Sequence, residues 1–179
     1  AYYDGLAFGP QAVDFSLARV PDGGGWSLAL PTRAGPNIAA ALGDPWQVRI
    51  NEWAATVSGG PDWFELYNPE PQPVSLSGLY LTDALANRTK HAIAPYSFIG
   101  VATNGYLKFI ADNDAAQGPN HVSFSLNGTV GEAIGLFPPG TAPAIDAATF
   151  GPQTSGVSQG RFPDGTANFA YFATPSPGD

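Results

Sequence analysis

Glu52 stands in a stretch where Val48, Ile50 and Trp53 open a strand candidate, and Glu65 in one that alternates apolar and polar residues. On neighbouring strands their carboxyl groups would face one another, and paired carboxylates are the machinery of glycoside hydrolysis. The same groups suit a structural ion pair, with Arg161 as the expected partner of one of them, and that is the preferred reading. Asp112, Asn113 and Asp114 place hard oxygen donors in one short loop, with Asp62, Glu70 or Asp83 as further carboxylates. Calcium takes about six to eight such oxygens. The Asp-Asn-Asp run lacks the following glycine and the distant glutamate of an EF-hand, so a solvated loop is preferred and calcium is the alternative. His91 and His121 are the only histidines, and neither belongs to an HxH or HExxH arrangement, so a zinc site lacks ligands. There is no G-x-S-x-G elbow for a serine nucleophile. Gly23-Gly24-Gly25 lacks the Lys-Ser/Thr of a phosphate loop and reads as a hairpin turn. Asn87-Arg88-Thr89 and Asn127-Gly128-Thr129 fit a glycosylation sequon, with a turn as the preferred reading. The residues predict a protein that is not an enzyme and has no cofactor beyond that calcium alternative.

The elements that must position these residues are short strands. Charged residues make up 12% of the chain while glycine numbers 22 and proline 18, so punctuation is dense and helix formers are few. Asp62 to Tyr67 alternates with Phe64 and Leu66 on one face. Asn68-Pro69 and the prolines at 71 and 73 then end that strand. Val74 to Leu81 alternates again around a Ser77-Gly78 irregularity, and Val48, Ile50 and Trp53 open an earlier strand. His91 to Ile93 and Tyr106 to Ala111 are strand candidates, the latter after an Asn104-Gly105 tight turn. His121 to Leu126 is predicted as a strand, since Val122, Phe124 and Leu126 alternate cleanly. Glu132 to Phe137 and Ala144 to Phe150 form a predicted hairpin around Pro138-Pro139-Gly140. Arg161 to Thr174 reads as one or two irregular strands. Seven to nine short strands at this spacing fit an all-β sandwich. A 44% apolar fraction supplies a core and argues against disorder. The net charge of −8 repels a phosphate backbone, so nucleic acid is not an expected partner. No apolar run reaches the length of a membrane helix, so membrane insertion is not expected either. Cysteine is absent, so no disulfide reports on compartment. With neither an initiator methionine nor a signal peptide, the chain reads as a processed or excised segment of something longer.

Five motifs carry a resemblance. Ile50-Asn51-Glu52, Trp63 to Asn68 (WFELYN), Leu76 to Asp83 (LSGLYLTD), Gly131 to Leu136 (GEAIGL) and Ser158 to Gly165 (SQGRFPDG) follow in order. Together they resemble the lamin tail domain in its bacterial form, over roughly residues 46 to 179. The resemblance implies an immunoglobulin-like β-sandwich. It implies structural rather than catalytic duties for Glu52, Glu65, Asn68, Arg161 and Asp164, which all lie inside the motifs.

The first 37 residues repeat the last 37. At an offset of 142, Asp4 matches Asp146, Phe8 to Gln11 matches Phe150 to Gln153, and Ser16 and Arg19 match Ser158 and Arg161. Pro21-Asp22-Gly23 matches Pro163-Asp164-Gly165, and Thr32 matches Thr174. The predicted organisation is the closing part of one lamin-tail-like repeat (1–37), a linker with room for a helical turn (38–45) and a complete sandwich (46–179). The aromatics exceed what one small core hides, so some serve partner domains or sugar rings. Tyr2, Tyr3, Leu6, Phe8, Phe15 and Trp26 are the expected assembly residues, with a strand over Tyr2 to Phe8. Such unpaired closing strands recruit neighbouring chains head to tail, towards a filament. The expected function is a structural or adhesive repeat module of a large extracellular or cell-surface bacterial protein. Its partners are then adjacent repeats or copies of itself. A polysaccharide is the partner in the alternative, a carbohydrate-binding accessory domain of a secreted hydrolase.

Overall fold

In the computed structural model, which describes residues 4–178, the described residues form fourteen strands, and those from residue 46 onward outnumber the seven to nine expected because several are only two residues long. The fourteen begin with β1 (Ser16–Val20), β2 (Gly25–Leu30), β3 (Ile38–Ala39), β4 (Arg49–Ala54) and β5 (Asp62–Tyr67). Then come β6 (Val74–Ser75), β7 (Tyr80–Thr82), β8 (His91–Ala92), β9 (Phe98–Ile99) and β10 (Tyr106–Ala111). The last four are β11 (Glu132–Phe137), β12 (Asp146–Phe150), β13 (Ser158–Arg161) and β14 (Phe169–Phe172). Every ladder between these strands is antiparallel.

A five-stranded sheet, β10-β5-β4-β13-β14, and a four-stranded sheet, β12-β11-β7-β8, share one core. Ile50, Trp53, Phe64, Leu66 and Phe109 from the first meet Leu81, Ile134, Leu136 and Phe150 from the second. Two antiparallel sheets closing on one apolar layer make a sandwich-like, all-β architecture. Ile50 and Trp53 are both fully buried although three positions apart, a spacing that an even strand would send to opposite faces. A β-bulge at Asn51 reconciles them, since the register passes from Ile50↔Leu66 directly to Glu52↔Glu65.

The hairpin of β11 and β12 and the strand Tyr106–Ala111 form where the alternation places them. Elsewhere the structure corrects the expectation. Val74 to Leu81 is split between two sheets, β6 pairing with β9 and β7 with β11 and β8, and Gly78 turns the corner at φ +79°. His121 to Leu126 is not a strand: it touches the ladders only at the isolated bridges Ile110↔His121 and Asp112↔Ser125. Its alternation still reports burial, because Val122, Phe124 and Leu126 point into the core. Asn104-Gly105 ends a short 3-10 turn, Ala102–Asn104, instead of forming a two-residue hairpin loop.

The N-terminal part differs most. Asp4 to Phe8 forms no strand, and Tyr2 and Tyr3 lie outside the described residues. The expected linker supplies β3, which pairs with β2 through Ala29↔Ala39 and Leu30↔Ile38 and completes a three-stranded sheet. The helical turn comes later, at Pro45–Gln47, where the Asp44 carboxylate caps the Trp46 N–H at 3.0 Å. The Phe-Gly-Pro-Gln block docks on its own chain. Gly9 N–H donates to Pro95 O at 3.0 Å, Phe98 N–H to Pro10 O at 2.8 Å, and Gln11 Nε2 to Tyr96 O at 2.7 Å. Ala12, Leu28 and Phe98 form a second, small apolar cluster, with Phe15 and Leu17 against it. Of the expected assembly residues, Phe15 is thus packed in cis, Trp26 lies under Arg19, Leu6 is half-buried and Phe8 is exposed.

Candidate functional site

The bulge at Asn51 sets the polar centre of the molecule. By adding one residue to β4 it turns Glu52 to face Glu65 on the side away from the apolar core. Like charges directly opposite one another repel, so each needs donors. Glu52 receives Ser158 Oγ on one oxygen, and Ser176 supplies its N–H at 3.2 Å and its hydroxyl at 3.0 Å. Glu65 receives Asn51 Nδ2 at 3.3 Å and the Gly178 N–H. The C-terminal residues 176–178 therefore lie across both carboxylates as a strap, and both are buried. Burial pushes the Glu65 carboxyl up to about 7, against the hydrogen bonds from Gly178 and Asn51 and with the charges of Glu52 and Asp164 adding to the rise.

Arg161 does not pair with either glutamate. Its Nη2 forks onto both oxygens of Asp146, each at 2.9 Å, its Nε donates to Ile50 O at 2.9 Å, and its Nη1 donates to Thr166 O. The reason is the register: β13 runs beside β4, so the guanidinium reaches past the bulge to the Ile50 carbonyl and to the first residue of β12. Its other face lies 4.9 Å from the Phe169 ring centroid. Asp164, in the following turn, accepts Asn51 Nδ2 at 3.0 Å and the Tyr106 hydroxyl at 2.8 Å, while the Gly165 N–H returns to Asn51 Oδ1 at 3.0 Å. Burial and the Asp164 carboxylate hold the Tyr106 phenol well above its ordinary range. One constellation thus ties β4, β12, β13, the Pro163-Asp164-Gly165 turn and β10 together.

The other predicted residues lie elsewhere. Buried Asn68 organises the proline-rich connection: its amide donates to Gln72 O at 2.9 Å and Gly100 O at 2.7 Å and accepts the Glu70 N–H at 2.9 Å. Asp112 is bound by His121 Nδ1 at 2.7 Å and Gln117 Nε2 at 2.9 Å, and it also accepts the Asp114 N–H. Asp114 in turn caps the short turn Ala115–Gln117, and Asn113 sits at φ +58° between them. The carboxylates of Asp112 and Asp114 serve the loop itself. Among the described residues no three acidic, histidine or cysteine side chains gather as metal ligands, there or elsewhere.

The same constellation begins a second time at the N-terminus. Arg19 Nη2 forks onto both oxygens of Asp4 at 2.9 and 3.1 Å, and Arg19 Nη1 donates to Gly24 O at 2.8 Å. Each contact is the image of one made by Arg161, shifted by the offset of 142. Trp26, the cross-strand partner of Arg19, lies 4.7 Å from the guanidinium, as Phe169 lies against Arg161. Gln11 Nε2 turns onto Gly9 O at 2.9 Å, as Gln153 turns onto Gly151 O at 3.4 Å. What the N-terminal copy lacks, among the described residues, is a strand in the place of β4.

No protein-family model, curated protein or solved structure matches the chain. The site stands on its own geometry. Sequence reasoning selected Glu52, Glu65, Arg161 and Asp164 but missed Asp146, Asn51, Ser158 and Ser176, which complete it. The Asp4/Asp146 and Ser16/Ser158 identities were the available signal. Aspartate recurring with arginine at one fixed separation is what a salt bridge leaves in a duplicated sequence. Apart from the polar centre, an open pocket of about 520 Å³ is lined by Tyr67, Ala102, Thr103 and Tyr106, with the two tyrosine rings 4.9 Å apart.

Proposed function

We propose that this chain is a non-catalytic structural module of the lamin tail type, with an immunoglobulin-like sandwich, used as a repeat in a large extracellular or cell-surface bacterial protein. The observation that carries the reading is the duplicated lock: Asp146–Arg161–Thr166 closes one sandwich, and Asp4–Arg19–Gly24 reproduces it on a hairpin without the other strands of a sandwich. A module repeated along a chain accounts for a closing hairpin that precedes a complete domain. Of the lock's residues Arg161 stands in the last of the five motifs of the lamin tail pattern, and the Ile50 carbonyl it holds stands in the first. The extracellular setting is drawn from that likeness and from the acidic, turn-rich composition.

Catalysis by Glu52 and Glu65 is disfavoured on access. Their oxygens are taken by Ser158, Ser176, Asn51 and Gly178, and a glycoside would have to displace the strap to reach them. A second reading, carbohydrate binding, has the Tyr67 and Tyr106 rings in its favour, since two adjacent half-buried aromatic rings beside an open pocket suit sugar rings. The test is a glycan array and a panel of ester, phosphate and glycoside substrates offered to the intact chain. The structural reading expects neither binding nor turnover. A glycan signal abolished by Tyr67→Ala and Tyr106→Ala would replace it with the carbohydrate reading.

A further inference from the structure

β14 ends the five-stranded sheet and has β13 on one side only. The hairpin fixes which of its backbone groups are free. Phe162 N–H donates to Asn168 O at 3.0 Å, and the register continues through Gly160↔Ala170 and Ser158↔Phe172. Asn168, Ala170 and Phe172 therefore turn their backbone groups to β13, while Phe169 and Tyr171 direct theirs outward. No donor or acceptor among the described residues meets those outward groups. The side chains beside them are aromatic. Phe169 rests on Trp53 yet is 44% exposed, and Tyr171 on the same face is 64% exposed. On the opposite face exposed Phe162 packs against Phe172, with ring centroids 6.2 Å apart. Gly165 to Gly178 holds no charged residue, in a chain of net charge −8. The other edge strands longer than two residues are guarded: residues 120–121 lie along β10, β12 begins with Asp146, and β1 carries Arg19. The N-terminal hairpin shows what this edge accepts. Counted from the aromatic residue facing each arginine, Trp26 and Phe169, Leu28 stands where Tyr171 does. Leu28 O accepts the Ala40 N–H at 2.9 Å, β3 pairs along β2, and Leu28 is buried. The same edge is covered by a strand in one hairpin and bare in the other.

We propose that the bare edge of β14 pairs with β14 of a second copy, antiparallel about a two-fold axis, so that two five-stranded sheets become one. The proposal goes beyond the module reading and does not rest on it. The occupant is available, because the outer edge of β14 is exposed and unpaired in every copy. It is also self-complementary. Setting Phe169 opposite the partner's Tyr171 matches each outward N–H of one copy with an outward C=O of the other. That register puts Ala170 on the axis, facing the partner's Ala170 at a non-hydrogen-bonded position. Cα atoms approach to about 4.5 Å at such a position, and a methyl group fits there. Phe169 then lies beside the partner's Tyr171, and the two-fold axis makes that aromatic cross-strand pair twice. A patch that meets its own image closes as a dimer and grows no further. Charge favours a second copy over a charged partner. Two chains at −8 repel one another least across an uncharged edge, whereas a basic partner would find no carboxylate on it. The strand is four residues long, so the interface is small and the expected dissociation constant is about 0.1 mM.

The experiment is sedimentation equilibrium of the intact chain from about 10 μM to about 1 mM, a range that brackets the expected constant. The mass should rise from monomer to dimer and stop there. Tyr171→Lys places on β14 the charge that protected edges carry, and should weaken association at least about tenfold. Val130→Lys, at a similarly exposed apolar residue elsewhere, should leave it unchanged. Both sites face solvent, and an undisturbed amide spectrum of residues 46–164 confirms the fold of each variant. Covalent trapping tests the axis. The chain has no cysteine, so Ala170→Cys supplies a single thiol, set opposite its own image. With oxidised glutathione it should link into a disulfide dimer, since facing strand positions lie within the span of such a bond. Val130→Cys should remain a monomer under the same conditions. A parent chain that is monomeric at millimolar concentration, association indifferent to Tyr171→Lys, a mass that grows past the dimer, or an Ala170→Cys chain that links no faster than Val130→Cys would overturn the proposal. None of these readouts involves glycans or enzyme substrates, so failure here leaves the module reading standing.

Discussion

Arg161 and Arg19 make the same fork onto an aspartate, yet solvent should separate their worth. The side chains of the Arg161–Asp146 pair are 8% and 13% exposed, against 34% and 58% for Arg19–Asp4. Removing a buried guanidinium leaves Asp146 and the Ile50 and Thr166 carbonyls without their donor, which costs about 3 kcal/mol or more. An exposed pair contributes well under about 1 kcal/mol. Urea denaturation should therefore show Arg161→Ala losing about 3 kcal/mol and Arg19→Ala almost nothing. Arg161→Lys should recover little, because a point charge cannot serve Asp146, Ile50 O and Thr166 O together. Equal costs for the two alanine variants would mean that the buried lock does not hold the sandwich. Arg161 was legible in the sequence as a structural arginine, but its partner was not. Strand register decides that, and the residue that sets the register is a bulge.

At the scale of elements, the bulge in β4 and the C-terminal strap act on one carboxyl group. Glu65, raised from 4.5 to about 7 chiefly by burial, binds its proton more tightly in the folded chain than in the unfolded one. The associated stability is fully present below about pH 4.5 and disappears as pH rises through 7, and it amounts to no more than about 3 kcal/mol. Thermal unfolding across pH 5 to 8 should show a falling midpoint, and Glu65→Gln should flatten that fall while costing one hydrogen bond at every pH. A Glu65→Gln chain with an unchanged slope would place the titration elsewhere. Most strands here were legible because period-two alternation reports which face is buried. The same signal misled at His121 to Leu126, where the side chains alternate into the core but the backbone meets the ladders at only two bridges. Ile38–Ala39 was illegible for the opposite reason. Both residues are exposed and the strand exists only because β2 offers an edge.

Across the whole molecule, one closing device is built twice and filled once. The duplication was visible in the sequence as spaced identities. Docking of the N-terminal segment in cis was not, because Gly9 and Pro10 meet Pro95 and Phe98 backbone to backbone and the Gln11 side chain meets only the Tyr96 carbonyl. Gly9 permits that approach: a Cβ there would stand 2.0 Å from Ser97 Oγ. Filled and idle locks differ in a way that amide hydrogen exchange reads directly. β13 lies between β4 and β14, whereas β1 has β2 on one side and, among the described residues, no partner strand on the other. Native-state exchange of the intact chain, comparing Ser158–Arg161 with Ser16–Arg19 position by position, is the most direct measurement. Protection of the first set at the level of global unfolding, with the second exchanging through local opening, is the predicted result. Equal protection of both sets would contradict it, because β1 would then already have a partner and the lock would not be idle.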